Sequence, residues 1–415
     1  MFVRTGLVLA LTGIAGGYAP LLSANELTLE QAVAQALAQH PSLQAQAQSV
    51  RAAESHAQAL ALGPQWIVGG ELENVLGTGE VSGIHGAETT LRLSRPIELG
   101  GKLAARERVG AAEVARQSQG IGRLQVSIAA QAAERYIVVV GHQQRLAILR
   151  SHLSLAEANQ RLLTRWIEAG RGSDAEGLQA QVALIDARLR VEDAEHELDS
   201  ARVTLAALWG ESDPEFDASG ALDTLPTVAP LAELEAQLPA SVEQLAFAAD
   251  SAALDAQREL AASAARADVT VSVGVRRLET IDDQALLFGV SMPLGSTTRS
   301  AFGVSRVDAE LAALAARQQA AQWDARQQLY ALYRELEHAR HVVETHQRET
   351  LPAAEAALAA SQRGFELGRF SFLVLNQAQQ TLIDLRLAVL EAQQRYHTLL
   401  VSIDRLTAAN AGDAR

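Results

Sequence analysis

The chain writes its long-range pattern twice. Apolar and small residues at heptad spacing run through Leu184, Ala187, Val191, Ala194, Leu198, Ala201, Leu205 and Leu208. The run returns at Leu382, Leu385, Val389, Ala392, Tyr396, Leu399, Ile403 and Leu406, each 198 residues after its counterpart. Spacing of this 3-4 kind marks helices packed along a seam, and small residues in the seam let backbones approach. The same shift carries Gly170-Arg171 onto Gly368-Arg369, Ser173 onto Ser371 and Arg188 onto Arg386. A repeat of this length constrains the fold strongly, because each half must build the same unit.

Residues 102–169 and 300–367 are each 68 positions of helical pattern. As helix, either would span roughly 100 Å at about 1.5 Å per residue. The remaining helices are expected at about 28–63 and 174–209 in the first half, and 241–266 and 372–409 in the second. Two half-length helices end to end match one long helix, so each repeat reads as a two-row strut. Pro352 should kink the second strut, since proline removes a helical hydrogen bond and crowds the preceding turn. Capping boxes are expected at Thr28–Gln31, Ser173–Glu176 and Ser241–Gln244, each a hydroxyl answered three residues later by Gln or Glu. Between the halves, residues 210–240 hold Pro214, Pro226, Pro230 and Pro239, which marks a connector with room for a short strand.

Both halves also contain a stretch of period two. Strands are expected at about 65–75 and 86–98, then at about 268–279 and 283–293. Val68 and Leu72, Leu91 and Leu93, Val271 through Val275, and Leu286, Phe288 and Val290 fall on apolar faces with polar or small residues between them. Strands of about 9–11 residues with one apolar face fit a transmembrane barrel. A small soluble β-subdomain capping a helical rod fits the same alternation. Membrane barrels start at about eight strands, because no open edge can face lipid. One chain supplies four, so either the strands are soluble or several copies close one barrel.

The first 24 residues hold one Arg, an apolar run and small residues before Asn25, the form of a secretory signal peptide. The expected order is then a signal peptide at 1–24, a first repeat at 25–209, a connector at 210–240, a second repeat at 241–409 and a tail at 410–415. There is no cysteine, which excludes disulfides, thiolate metal sites and lipid on an N-terminal cysteine. Without the leader, 34 basic residues face 49 acidic ones. That balance argues against nucleic acid, whose binding needs phosphate-neutralising Lys and Arg, and suits a path for cations.

These features resemble the outer-membrane efflux protein family, the TolC-like export ducts. The likeness covers roughly residues 27–408 and rests on several motifs: the LTLEQAVAQAL opening, the paired AGRGS and LGRFS turns followed by LQAQ and NQAQ, and PAAEAALAASQRGFELG. The stretch SRPIELGGKLAARERV at 94–109 resembles the heavy-metal (CzcC-like) branch. The resemblance implies a mainly α fold with a small β part. Duplicated coiled-coil helices would form an α-barrel, and three copies would join four strands each into one 12-stranded transmembrane barrel. It implies a homotrimer in the outer membrane, working with a periplasmic adaptor (membrane fusion) protein and an inner-membrane resistance–nodulation–division pump. The turns Gly170, Arg171, Gly172, Ser173 and Gly368, Arg369, Phe370, Ser371 would be periplasmic tips that meet the adaptor. Drug-exporting relatives commonly carry acids after the second tip. This chain instead has Val374, Asn376 and Gln377 there, and its candidate entrance acids, Asp174 and Glu176, follow the first tip.

No nucleophile–base pair, phosphate loop or zinc signature appears, and no catalytic residue or cofactor is expected. Gly100-Gly101-Lys102 lacks the earlier glycine of a phosphate loop and reads as a strand-to-helix hinge. His338 and His341 stand i, i+3 on a helix, a spacing that can hold a metal but also suits a solvated face. The leading expectation is a passive duct exporting divalent heavy-metal cations. The alternatives are a drug or protein export channel of the same family, and a soluble periplasmic coiled-coil adaptor.

Overall fold

The computed structural model describes residues 26–75, 77–81, 83–170 and 172–409. The expected leader and the tail at 410–415 lie outside them. The elements run β1 (Glu26–Leu27), α1 (Leu29–Gln39), α2 (Pro41–Leu60), β2 (Ile67–Glu73), β3 (Glu88–Ile97), α3 (Lys102–Glu168) and α4 (Asp174–Ala206). After β4 (Asp217–Ala218) and α5 (Leu231–Gln237) come α6 (Val242–Ser263), β5 (Val269–Leu278), β6 (Asp283–Ser291), α7 (Ser296–Thr345), α8 (Leu351–Glu366) and α9 (Phe372–Thr407). The chain is mainly helical, as the heptad pattern requires. α3 is 67 residues long and forms the first strut with α2 above and α4 below. α7 and α8 form the second, packed on α6 and α9.

The core sits where the struts meet. Val126, Ile128, Ala129, Ala132, Tyr136, Val139 and Leu149 of α3 are buried, with Leu198 and Leu205 of α4 and Leu390 of α9 packed around that stretch of the strut. β1 and β4 pair in parallel beside it, and the Tyr136 hydroxyl donates to the Leu27 carbonyl at 2.9 Å. The duplication holds down to single ion pairs. Arg188 meets Glu157 at 3.6 Å, and their counterparts Arg386 and Glu355 meet at 3.1 Å.

Two sequence expectations are corrected and a third gains a local detail. The opening helix expected at about 28–63 is broken at His40, whose ψ of 123° is extended. Pro41 explains the break, since the residue before a proline is pushed away from helical geometry. His40 then caps α2, its Nδ1 accepting the Ser42 N–H at 3.2 Å. The boxes at Thr28 and Ser173 form, but Ser241 makes no side-chain cap. Its partner Gln244 is buried and turns to the strut instead, accepting from Gln318 and Gln322. Just before Pro352, where a kink is expected, the second strut changes its helical pattern. Helix continues from α7 to α8 through a π-helical turn at His346–Thr350, in which the Leu351 N–H reaches back five residues to the His346 carbonyl. The missing proline N–H and the crowding at the previous turn are relieved by this wider loop.

The four long strands form one antiparallel sheet in the order β2-β3-β5-β6, with Val68 opposite Leu93, Leu93 opposite Val273, and Val273 opposite Phe288. β2 and β6 each lack a partner on one side among the described residues.

Candidate functional site: the sheet face and the paired tips

Alternation on registered strands sorts the sheet into two faces. One carries Val68, Leu72, Leu91, Leu93, Val271, Val273, Val275, Leu286, Phe288 and Val290. Among the described residues nothing covers it: Val68 is 77% exposed, Phe288 81% and Val290 75%. A soluble cap on a helical rod would bury this face, whereas isolated soluble proteins rarely leave such a patch open. The other face is polar. Arg276 reaches Glu88 at 2.8 Å and Glu73 at 3.0 Å and donates to Thr90, and Arg92 lies 3.8 Å from Glu71. At one end Arg95 lies over the Trp66 ring, 5.1 Å from its centroid. No described helix is long and apolar enough to cross a membrane.

At the opposite ends of the struts, α3 turns into α4 and α8 turns into α9. Gly170 and Gly368 take nearly the same left-handed φ, 69° and 67°, a conformation that favours glycine. The Arg369 and Phe370 N–H groups return to the Gly364 carbonyl at 2.8 and 3.2 Å, closing the end of α8. Ser173 begins α4 with its capping box, whereas Ser371 begins α9 without a side-chain cap. Glu176 supplies what Ser371 does not. Its Oε2 accepts the Ser173 N–H at 3.3 Å, while Oε1 accepts the Phe372 N–H of α9 at 3.2 Å. A carboxylate here satisfies an orphan donor and opposes the positive end of the helix. Of the two candidate entrance acids, Glu176 is therefore committed to joining the tips, and Asp174 stays exposed. Arg171 lies outside the described residues.

An aromatic cluster that the sequence reading did not single out holds the tips together. Trp166 stacks on Phe365 at 4.8 Å, and Phe365 meets Phe372 edge-on at 6.2 Å, with Leu163, Ala180 and Leu375 around them. The plus-198 shift places Gly364 opposite Trp166 and Phe370 opposite Gly172. The first tip has a large residue on the helix and a small one in the turn; the second exchanges them. A Cβ on Gly364 would fall 2.1 Å from the Phe370 ring. Gly364→Leu alone is expected to expel Phe370 and loosen this tip, and Phe370→Gly in the same chain should restore its protection from proteolysis. Equal protease sensitivity of the single and double variants would refute the exchange.

Inside the junction of the two tip hairpins, Asn159 donates to Gln379 at 2.8 Å, and Gln380 donates to Nε2 of buried His152 at 3.4 Å. Burial chiefly, and then Arg190, push the His152 pKa down; Asp186 and Asp384 pull the other way. The folded state keeps this imidazole neutral, while the unfolded chain takes up a proton near pH ~6.5. Its stabilising effect is therefore present above that pH and lost as pH falls. His152→Gln is expected to flatten the acid limb of thermal stability between about pH 7 and 5, read as Tm against pH. His338 and His341 lie exposed on α7. Among the described residues no three His, Asp or Glu converge as a ligand set.

An uncovered apolar sheet at one end of two duplicated helical struts is the geometry on which the comparisons bear. Residues 32–211 match the family described as outer membrane efflux protein. Over those residues the chain is similar to outer membrane efflux proteins. The chain is 29% identical over 324 residues to the cobalt-zinc-cadmium resistance protein CzcC of Cupriavidus metallidurans, covering 77% of this chain and 76% of that one. It is also 29% identical over 288 residues to the nickel and cobalt resistance protein CnrC of the same organism, with 68% and 67% covered. Beyond the matched residues, the fold of nearly the whole chain follows that of CusC, studied for its transmembrane channel formation. The TM-score is 0.75 over 92% of each chain at 13% identity, a likeness of fold.

Proposed function

We propose that the protein is a passive outer-membrane duct of a tripartite efflux system and that its substrates are divalent heavy-metal cations. The observation that carries the reading is the uncovered apolar sheet face, joined to a strut pair whose sequence relatives are metal-resistance proteins. A four-stranded sheet with two open edges cannot face lipid alone. Three copies would supply 12 strands, with the apolar face outward and the Arg276–Glu88–Glu73 face toward the lumen. The struts, about 100 Å long, would cross the periplasm. The paired tips around Gly170–Ser173 and Gly368–Ser371 would meet the adaptor, and an inner-membrane pump would supply the energy. The acidic surface would tolerate a stream of cations without a site that holds them. The deciding experiment expresses the chain in a strain lacking its own metal-efflux duct. Restored tolerance to cobalt, zinc or cadmium, with trimer in the outer-membrane fraction, is the expected result. Soluble monomer in the periplasm would refute the duct, and restored tolerance to drugs alone would reassign its substrate.

A further inference from the structure

A cavity of about 700 Å³ lies at the waist of the struts, walled mainly by α3, α6 and α9. The N-terminus of α6 borders it, and that end is uncapped. Ser241 lines the cavity and is only 4% exposed, yet its hydroxyl has no hydrogen-bond partner among the described residues. The Val242 N–H goes to the Ala408 carbonyl at 3.0 Å, whereas the Glu243 and Gln244 N–H groups meet no acceptor among the described residues. A buried hydroxyl and two orphan amides at the positive end of a 22-residue helix suit an anion, because an unmet donor away from water is costly.

Guanidinium groups stand around the same space. Arg116 and Arg123 are two turns apart on α3, facing Asp250 and Glu243, which are likewise two turns apart on α6. Neither rung closes: at 3.9 and 3.6 Å both exceed hydrogen-bond length. Arg116 is held instead by Glu113, through bonds of 2.7 and 2.9 Å. Arg123 has no nearer carboxylate, and Arg405 of α9 has no ion pair among the described residues. The Glu243 side chain is 60% exposed and can leave Arg123 for water. The cavity therefore sets two uncommitted guanidiniums, one from α3 and one from α9, beside an uncapped helix end.

We infer that this cavity binds a phosphate dianion, free or as the monoester of a small soluble molecule. Its donors are Arg123, Arg405, the Ser241 hydroxyl and the first free N–H groups of α6. A dianion with several acceptor oxygens matches donors drawn from three helices, and helix N-termini and arginine both favour such oxygens. At about 1.5 Å per residue, Arg116 and Arg123 lie roughly 20 and 30 Å along α3 from Lys102, where the strut leaves the sheet. With the sheet in the membrane, lipid headgroups are out of reach, so the ligand is soluble. That choice of source rests on the duct reading; the donor set does not. Held by α3, α6 and α9, the ligand ties the two repeats together at the waist.

The test is thermal unfolding of the full chain, purified in detergent, in inorganic phosphate against chloride of equal ionic strength. Phosphate is expected to raise Tm saturably. Arg405→Gln, at an exposed position, should shift the phosphate dependence about tenfold or more toward higher concentration. Ser241→Asp separates the site from stability alone. Its carboxylate should cap α6, so Tm without phosphate is kept or raised while the response to phosphate is lost. No response beyond that to chloride, or a full response in either variant, overturns the inference. Protection by phosphatidic acid in mixed micelles, with none by inorganic phosphate, overturns the soluble ligand. A phosphate response in a chain that restores no metal tolerance keeps the site and refutes the duct reading instead.

Discussion

Phe288→Arg is expected to remove the protein from the outer-membrane fraction. Phe288 lies in the middle of β6, opposite Val273 and flanked by Leu286 and Val290 on the uncovered face. If that face meets lipid, an arginine near the bilayer midplane costs about 2–4 kcal/mol in each copy. Three copies in one barrel would share a penalty of about 6–12 kcal/mol, comparable with the whole stability of an ordinary domain. The expected result is loss of trimer from membranes and of metal tolerance. Thr270→Arg, on the polar face of the neighbouring strand, should leave assembly largely intact. Equal membrane recovery for both variants would show that the apolar face is not the lipid side.

Phe372→Ala should have the second large effect, confined to the opposite end. Phe372 is 1% exposed, and its ring closes the cluster of Phe365, Leu163 and Leu375. Large-to-small substitutions of buried aromatics cost about 3–5 kcal/mol. The cluster is a satellite separate from the main core, so the loss should appear as local opening. Faster amide exchange is expected across residues 162–180 and 358–376, with the sheet still inserted and the trimer intact. Efflux should fail if these tips dock the adaptor. Full tolerance with opened tips would remove docking from their role.

The parts of the fold legible in the sequence depend on periodic burial or backbone chemistry. The plus-198 seam was readable because each helix repeats its buried face every seven residues. The strands were readable because their two faces meet different surroundings. The tips were readable through Gly170 and Gly368, whose left-handed φ few other residues adopt. What escaped depends on choices between partners. Ser241 and Gln244 satisfy the pattern of a capping box, yet Gln244 is buried against α7 and its carbonyl serves two glutamines there. Glu176 fits its own box and also reaches Phe372, a second link that no local pattern encodes. Pro41 was an available signal, and its effect on His40 outweighed the helical pattern around it. The exchange of Trp166 and Gly172 for Gly364 and Phe370 was readable by aligning the halves, but its meaning needed the distance between Gly364 and the Phe370 ring.

The π-helical turn at His346–Thr350 bears on how one strut serves two unlike ends. The glycines that cap α3 and α7, Gly101 and Gly295, are 194 positions apart, whereas the tip glycines, Gly170 and Gly368, are 198 apart. The second strut therefore spends four residues more between sheet and tip. Four residues of α-helix rotate about 400°, overshooting a whole turn by about 40°, enough to swing a seam off its partner over a long rod. A turn with more residues per revolution takes back part of that angle. One end of the strut is phased by the strand it leaves and the other by the hairpin it must match. The π turn acts as the vernier between these two settings.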